Sequence, residues 1–235
     1  MTFVPVLVIS SRVDKGQVAQ LVEQRTENPR VGGSIPPLAT ISQGELTILK
    51  NHVQEYKSRL IKILSSSGLE NSVPQFIKIV EQAWKRDKTV FFCGNGGSAG
   101  NAIHLVNDFI YGAGKTNGKG LRAVALSANP AIITCLANDV GYEFIFSEQL
   151  RVAANQGDVL VVFSGSGNSE NIVNALNVAN ELGLDTVAVV GYDGGRAKSL
   201  AKLSIHTPIS DMQISEDLQL IIGHMLMQWF SQIKI

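Results

Sequence analysis

Two pairs of ionisable residues are spaced so that each pair could act from one face of a helix. His104 and Asp108 are four residues apart, and Glu216 and His224 are eight apart. Residues separated by four or eight positions lie on the same side of an α-helix. Taken alone, a His followed by an Asp at this spacing is typical of a surface ion pair. Two imidazoles and two carboxylates that converged would instead suit a divalent ion such as Zn²⁺.

Two short loops have the composition of an anion-binding site. The segments FFCGNGGSAGN and VVFSGSGNSEN each place a Gly/Ser/Asn loop between an apolar run and a helical stretch. Glycines let the backbone approach a ligand closely, and helix N-termini offer free N–H groups and a positive dipole end. Serine hydroxyls add neutral donors. The two loops therefore predict a site for a phosphate monoester, and ordinary tight turns remain the alternative.

Two nucleotide-binding motifs are matched only in part. Gly94, Gly96 and Ala99 follow the glycine spacing of a dinucleotide-binding loop loosely, but the segment LRAVALSAN lacks the acidic residue that this motif needs after the next strand. The GKT sequence that begins at Gly114 lacks the glycine that a P-loop requires five positions earlier. A phosphate monoester is therefore favoured over a nucleotide.

The elements that would position these residues alternate between strands and helices. Five apolar runs are predicted to be buried strands, at 89–94, 121–127, 158–165, 185–192 and 203–208. Helical stretches between them fall at 101–110, 131–137, 169–182 and 197–200. This alternation predicts an α/β fold, with a doubly wound, parallel, five-stranded sheet and right-handed crossovers.

Further helices are predicted on both sides of the alternating region. Apolar residues recur at helical spacing over 46–64 and over 72–85, and a last amphipathic helix runs from about Ser215 to Gln232. The last helix would carry both Glu216 and His224.

The composition fits a single compact domain. The chain has 235 residues, of which 45% are hydrophobic, and its formal net charge is zero. Zero net charge argues against a nucleic-acid-binding surface, and no apolar run approaches the roughly 20 residues of a membrane span. The two cysteines form no CxxC or disulfide-rich pattern, which is typical of a reducing compartment. We therefore expect a cytoplasmic protein with no membrane or nucleic-acid partner.

Residues 1–40 differ from the rest of the chain. The segment VAQLVEQRTENPRVGGSIPPLAT, residues 18–40, has weak periodicity and resembles a translated tRNA gene, because it can be back-translated into D-arm and T-arm sequences. The prediction is an extension at 1–40 and a domain at 41–235, with the native start between Ile41 and Leu46. The alternative is a genuine N-terminal arm, either disordered or helical.

Four motifs taken together resemble the SIS (sugar isomerase) domain family, and within it the phosphoheptose isomerases. They are GNGGS, LANDVGYEFIFSEQL, GDVLVVFSGSGNS and VVGYDGG. The resemblance runs from about Leu46 to the C-terminus. It implies an aldose–ketose isomerase that converts sedoheptulose 7-phosphate to D-glycero-D-manno-heptose 7-phosphate through an enediolate. It also implies a homotetramer, with sites between subunits and the N-terminal helices packed in a central bundle.

The resemblance assigns binding roles to residues in both loops and beyond them. Ser164, Ser166 and Ser169, together with the amide of Gly165, would hold the phosphate. The residues expected to line the rest of the substrate are Asn95, Gly96, Gly97, Ser98, Asn138, Asp139 and Glu216.

The family also places a cluster of His, Glu, Gln and His at positions that correspond to His104, Asp108, Glu216 and His224. This chain therefore departs twice, with Asp108 in place of Glu and Glu216 in place of Gln. Because Asp is one methylene shorter, and a small misplacement of a catalytic group can cost about a hundredfold in rate, we expect retained acid–base chemistry with altered substrate or metal dependence. Asp108 is the expected general base and His224 the complementary acid. All four residues are expected Zn²⁺ ligands.

Three other functions remain open. A SIS relative, the DnaA initiator-associating protein, keeps the fold and has lost the catalytic carboxylate, and the carboxylate at Asp108 favours the enzyme over it. An isomerase of another sugar phosphate is a second alternative. The third is a sugar-phosphate sensing module, although no DNA-binding helix-turn-helix is evident in the sequence.

Overall fold

The computed structural model describes residues 41–234. The chain divides into two units at Gln54/Glu55. Residues 41–54 are the described part of the first unit, and they include the start of helix α1 (Gln43–Ser66). At this start, Ser42 and Glu45 each accept a hydrogen bond from the other's backbone N–H. The predicted extension at 1–40 lies outside the described residues, so the predicted domain boundary stays a prediction.

Five parallel strands form a single sheet in the second unit, which confirms the predicted fold class. The strands are β1 (Thr89–Gly94), β2 (Arg122–Ala125), β3 (Val159–Ser164), β4 (Asp185–Val190) and β5 (Leu203–His206). Their order is β2-β1-β3-β4-β5. The strand order reverses between β1 and β3. Doubly wound sheets bind their ligands at such a switch point, beyond the carboxyl ends of the strands.

Helices follow and cover the strands on both faces. They are α2 (Leu69–Lys85), α3 (Gly97–Asn107), α4 (Gly114–Asn117), α5 (Pro130–Asp139), α6 (Ser147–Ala153), α7 (Glu170–Glu181), α8 (Gly195–Leu200) and α9 (Met212–Gln232). A π turn occurs at Asp108–Gly112, and a single turn of 3₁₀ helix occurs at Tyr142–Phe144. Among residues 41–234, no helix combines the length and the apolar character of a membrane span.

The central strands β1 and β3 are buried on both faces of the sheet. Phe92 and Phe163 point into a core shared with α2, α3 and α9, whereas Phe91 points into a second core shared with α6 and α7. The rings of Phe92 and Phe163 stack with centroids 6.1 Å apart. Burial on both sides explains why these strands are continuous apolar runs in the sequence, and it fixes the position of the loops at their carboxyl ends.

The helix after β1 differs from its sequence prediction. It was predicted at 101–110, but α3 begins four residues earlier at Gly97, and a π turn replaces α-helix from Asp108 onwards. The segment GGSAG consists of residues that favour turns or carry no side chain, so local propensity does not indicate a helix there. The short helices α4 and α6 were also missed, because neither has enough length to show a period.

The start of α9 offers a test of what holds this helix in place. Asp211 Oδ1 accepts a hydrogen bond of 3.0 Å from the backbone N–H of Ile214, and Oδ2 pairs with the Arg59 guanidinium. We expect Asp211→Ala to lower the free energy of unfolding by about 1–2 kcal/mol, since it removes the helix cap. Urea denaturation monitored by circular dichroism would measure the change. Asp211→Asn keeps the capping oxygen and should lose much less. Equal losses in the two variants would assign the effect to the ion pair instead.

Candidate active site

A pocket of about 90 Å³ opens beyond the carboxyl ends of β1 and β3. Its wall combines both predicted loops with the start of α9. The lining residues are Asn95, Ser98, Phe163, Ser164, Gly165, Ser166, Ser169, Met212 and Glu216. The four residues predicted to hold a phosphate therefore share one cavity, and the pocket lies at the switch point of the sheet where parallel folds bind their ligands.

The loop between β3 and α7 is shaped by its own hydrogen bonds. Ser164 Oγ accepts a bond of 3.0 Å from the N–H of Gly167, and Ser166 Oγ accepts one of 3.2 Å from the N–H of Asn168. Gly167 has φ +67°, a conformation that only glycine adopts readily. Ser169 stands at the N-cap of α7 but makes no side-chain cap bond. The start of this twelve-residue helix therefore faces the pocket with backbone donors that suit an anion.

Arg196, the second residue of α8, contacts the β3–α7 loop from outside. Arg196 donates from its backbone N–H to Asn168 Oδ1 at 3.1 Å and from Nη2 to the Asn168 carbonyl at 2.8 Å. The same guanidinium pairs with Glu170 at 2.6 Å and, by donating to its carboxylate, lowers the pKa of Glu170. Arg196 is thus fixed against the backbone of the β3–α7 loop, which holds that loop in shape before any ligand binds.

Glu216 brings a carboxylate into the pocket from α9. A Cβ built on Gly97 would collide with the Glu216 carboxylate, so the absence of a side chain at Gly97 makes room for it. Asn101 on α3 donates to the backbone carbonyl of Glu216 at 2.9 Å and to Gln219 Oε1 at 3.0 Å. These bonds join α3 to α9 directly beside the pocket.

His104, Asp108 and His224 converge farther along the same two helices. The Nε2 atoms of the two histidines are 3.0 Å apart, and Asp108 Oδ2 lies 3.4 Å from His104 Nε2 and 3.6 Å from His224 Nε2. One ligand atom from each of the three residues lies within 4.8 Å of the others. About half of each imidazole is exposed, against 21% of the Asp108 side chain. Two imidazoles and a carboxylate at these distances are a suitable donor set for a divalent ion such as Zn²⁺.

Asp108 occupies a local departure from α-helical geometry. It is the first residue of the π turn, in which the N–H of Ala113 donates to the Asp108 carbonyl at 3.0 Å. Such π turns are rare in proteins, and those that do occur are often found at functional sites. No sequence pattern indicated this turn, although the spacing of His104 and Asp108 indicated that they share a helix face.

Several predicted residues lie outside the part of the site to which they were assigned. Glu216 lies outside the group formed by His104, Asp108 and His224, so its assignment as a metal ligand stays a prediction. Gly96, Asn138 and Asp139 are exposed and do not line the pocket that the described residues form. Within α5, Asn138 instead donates to Asp139 at 2.7 Å. Their proposed contacts with substrate also stay predictions.

Sequence reasoning missed four residues at the pocket. Phe163 and Met212 line it, and Asn171 and Tyr142 hydrogen-bond to Asn95. Met212 could have been found, because Asp211 is a favoured N-cap residue shortly before the helix that was predicted from about Ser215, and the cap would extend that helix back to Met212. Neither Asn171 nor Tyr142 belongs to a recognisable spacing pattern, since both reach Asn95 across the fold.

Neither cysteine fits an activated nucleophile. Cys93 is fully buried, and burial raises the pKa of its thiol far above the usual range. Cys135 is exposed, but its thiol donates to Asp139 and that bond raises its pKa as well. A reactive cysteine needs a lowered pKa, so the chemistry of this site is expected to depend on the histidines and carboxylates.

Comparison with known proteins agrees with this geometry. The family model described as the SIS domain matches residues 53–191. A phosphoheptose isomerase of Clostridium acetobutylicum is 36% identical over 165 residues, which are 70% of this chain and 84% of the relative. That of Helicobacter pylori strain P12 is 32% identical over 179 residues, covering 76% and 92% of the two chains.

The fold agrees with a solved structure from the same group. The phosphoheptose isomerase of Neisseria gonorrhoeae superposes with a TM-score of 0.73 at 27% identity, over 79% of this chain and 100% of that one. Two relatives above 30% identity, each matched over more than four-fifths of its length, extend the agreement to sequence. The chain belongs to the SIS domain family and, within it, to the phosphoheptose isomerases.

Proposed function

We propose that this chain is an aldose–ketose isomerase of sugar phosphates whose substrate is sedoheptulose 7-phosphate. The observation that carries the proposal is that α3 and α9 both run from the phosphate-type pocket to the group formed by His104, Asp108 and His224. The pocket thus lies at the start of both helices, and the group lies at the end of α3 and in the middle of α9. The relatives that are 31–38% identical to this chain are named phosphoheptose isomerases.

The distance between the pocket and this group suits a long, extended sugar. Gly97 and His104 are seven residues apart on α3, which corresponds to about 10 Å along a helix. In a heptulose 7-phosphate the phosphate is bound to the carbon farthest from the reacting C1 and C2. A phosphate held by the β3–α7 loop would therefore leave several carbons to span the helices and bring C1 and C2 towards His104, Asp108 and His224.

In the proposed reaction, Asp108 is the general base. It takes a proton from C1 of the ketose and delivers it to C2 of the enediolate, and in the reverse direction it takes the proton from C2 of the aldose and delivers it to C1. His224 is the complementary acid: it supplies a proton to the carbonyl oxygen that becomes a hydroxyl, and it recovers one from the neighbouring hydroxyl that becomes the new carbonyl. The 3.6 Å between Asp108 Oδ2 and His224 Nε2 supports both groups acting on adjacent atoms of one substrate.

A divalent metal ion fits the same residues. His104, Asp108 and His224 would hold it, and Glu216 is the proposed fourth ligand from α9. Zn²⁺ is the proposed ion because it favours imidazole and carboxylate ligands. When bound, such an ion supplies Lewis-acid polarisation of a substrate carbonyl. The protein's own contribution is to orient the sugar and to move its protons.

The metal assignment can be tested by binding alone. We expect His104→Ala to weaken Zn²⁺ binding by at least about 100-fold, since even outer-shell partners of a metal are worth 10–100-fold in affinity. Titration of the metal-free protein, with Co²⁺ absorption as a second probe, measures this without any assay of turnover. His52→Ala is the matched control, because His52 is an exposed histidine on α1. Equal affinity in the two variants would refute the assignment.

The proposed assembly is a homotetramer in the cytoplasm. In the first unit, the large apolar side chains of Ile48, Leu49 and Val53 on α1 are exposed, as expected of a helix that packs in an intersubunit bundle. In the second unit, Met225 and Trp229 are exposed on α9, and they follow His224 directly and after just over one turn. The free thiols of both cysteines fit a reducing compartment. A net charge of zero gives no support for a nucleic-acid partner.

The experiment that tests the function is proton exchange. The protein is incubated with sedoheptulose 7-phosphate in heavy water, with and without Zn²⁺, and proton NMR follows exchange at C1 and the appearance of an aldose. Exchange together with the aldose supports the isomerase. A thermal shift with the sugar phosphate but no exchange would contradict it, and would favour a non-catalytic SIS protein of the initiator-associating type or an isomerase of another sugar phosphate.

A further inference from the structure

The side chain of Asn95 is held by a buried partner on another element. Asn95 Nδ2 donates to Asn171 Oδ1 at 2.9 Å, and Asn171 Nδ2 donates to Asn95 Oδ1 at the same distance. Asn171 lies on α7, two residues after Ser169, and only 2% of it is exposed. A buried amide without partners is costly. This reciprocal pair therefore restricts both side chains to one orientation.

A third group completes the hydrogen bonding of the Asn95 carbonyl oxygen. The Tyr142 hydroxyl donates to Asn95 Oδ1 at 3.0 Å. Tyr142 belongs to the single helical turn Tyr142–Phe144, which is fixed to α7 because Asn174 donates to the Glu143 carbonyl at 3.0 Å. Oδ1 of Asn95 thus accepts two bonds, which uses both lone pairs of an amide oxygen.

The amide nitrogen of Asn95 is left with one unused hydrogen. An Asn side chain carries two N–H hydrogens, and Asn171 accepts one of them. Among the residues that the structure describes, the second has no acceptor, while Asn95 itself lines the pocket. Asn95 is therefore presented to the pocket as a hydrogen-bond donor, with its acceptor side occupied.

We propose that Asn171 and Tyr142 are positioning residues, which hold the Asn95 amide so that its remaining N–H binds an oxygen of the sugar. The inference rests on the proposed function in that the ligand is a sugar phosphate. It adds that the site distinguishes a sugar phosphate from inorganic phosphate through this donor. Neither positioning residue needs to touch the substrate, because both act through Asn95.

The test compares two ligands in binding and adds turnover as a separate readout. Calorimetry gives the affinity for sedoheptulose 7-phosphate and for inorganic phosphate. The affinity for the sugar phosphate divided by the affinity for phosphate isolates the contribution of the sugar. We expect Asn171→Ala to reduce this ratio on the order of tenfold, and Tyr142→Phe about threefold to tenfold, as for the loss of one or two hydrogen bonds. The affinity for inorganic phosphate should change by less than about twofold, on the same scale.

A double-mutant cycle separates positioning from general structural damage. In an Asn95→Ala background, neither Asn171→Ala nor Tyr142→Phe should reduce the ratio or kcat/KM any further, since the group on which they act is gone. Asn180→Ala is the matched control, because Asn180 is an amide on the same helix whose side chain bonds to Leu200 and Thr186. That variant should keep the ratio of the unchanged protein.

Each outcome has a definite meaning. The inference would be overturned if Asn171→Ala or Tyr142→Phe reduced the ratio further in the Asn95→Ala background. It would also be overturned if these variants lost affinity for inorganic phosphate as much as for the sugar phosphate, or if both left the ratio unchanged. Tyr142 is half exposed, so Tyr142→Phe decides the matter if Asn171→Ala does not fold. If the protein without substitutions binds the sugar phosphate more tightly than inorganic phosphate but does not isomerise it, only the proposed function is refuted. The ratio would still test the positioning role.

Discussion

Replacing Asp108 with Asn is expected to lower the rate of isomerisation by about 10²–10⁴-fold, the usual contribution of a general base. An amide has nearly the size of a carboxylate but cannot accept the proton from the substrate carbon. The phosphate pocket lies at the other end of α3, so the affinity for inorganic phosphate should stay the same. The measurement is deuterium exchange at C1 of sedoheptulose 7-phosphate, followed by proton NMR, beside a calorimetric titration with phosphate.

Two further variants show whether the carboxylate acts as a base or as a ligand. Asp185→Asn is the matched control, because Asp185 is an exposed carboxylate paired with Lys202, and the variant should keep full activity. Asp108→Glu keeps the carboxylate, places it one methylene farther out and should retain measurable turnover. An Asn variant that still binds Zn²⁺ but no longer exchanges protons would assign the proton transfer to Asp108. An Asn variant with the rate of the unchanged protein would show that Asp108 is not the base.

The sheet was predictable because its strands are buried on both faces. β1 occupies the predicted residues 89–94, and β3 lies within one residue of the prediction at either end. Where the sequence overshoots, as at the end of β4, the predicted run continues into Gly191 and Tyr192. Gly191 there donates to the Gly165 carbonyl instead of a ladder partner. A continuous apolar run thus locates a buried strand, while the geometry of the following loop decides where it ends.

The candidate site was only partly predictable, and the reason differs from residue to residue. His104 and Asp108 share an element, so their spacing alone indicates that they lie together. Their approach to His224 depends on α3 packing against α9, which no local pattern determines. The π turn at Asp108 and the amide pair of Asn95 and Asn171 arise from tertiary contacts between distant parts of the chain. Sequence spacing therefore found the groups within an element and missed those that join different elements.

Gly167→Ala is expected to abolish phosphate binding and to destabilise the fold. Gly167 has φ +67°, and a Cβ built there would collide with the backbone carbonyl of Gly194. A backbone atom cannot rotate away as a side chain can, so the β3–α7 loop or the β4–α8 loop would have to move. The left-handed conformation costs a non-glycine residue about 1–2 kcal/mol, and overpacking adds about 1–3 kcal/mol. We expect a loss of roughly 3 kcal/mol in the free energy of unfolding, measured by urea denaturation.

The loss of phosphate binding should exceed what the strain alone would cause. The bonds from Gly167 to Ser164 and from Ala197 to the Gly167 carbonyl both depend on this loop geometry. Gly118→Ala is the matched control, since Gly118 has φ +72° but a Cβ there would meet no atom within 4 Å. It should cost only the conformational term, about 1–2 kcal/mol, and leave the phosphate-induced thermal shift intact. If Gly167→Ala kept that shift, or if both variants lost equal stability, the β3–α7 loop would not be the rigid anion site that its hydrogen bonds indicate.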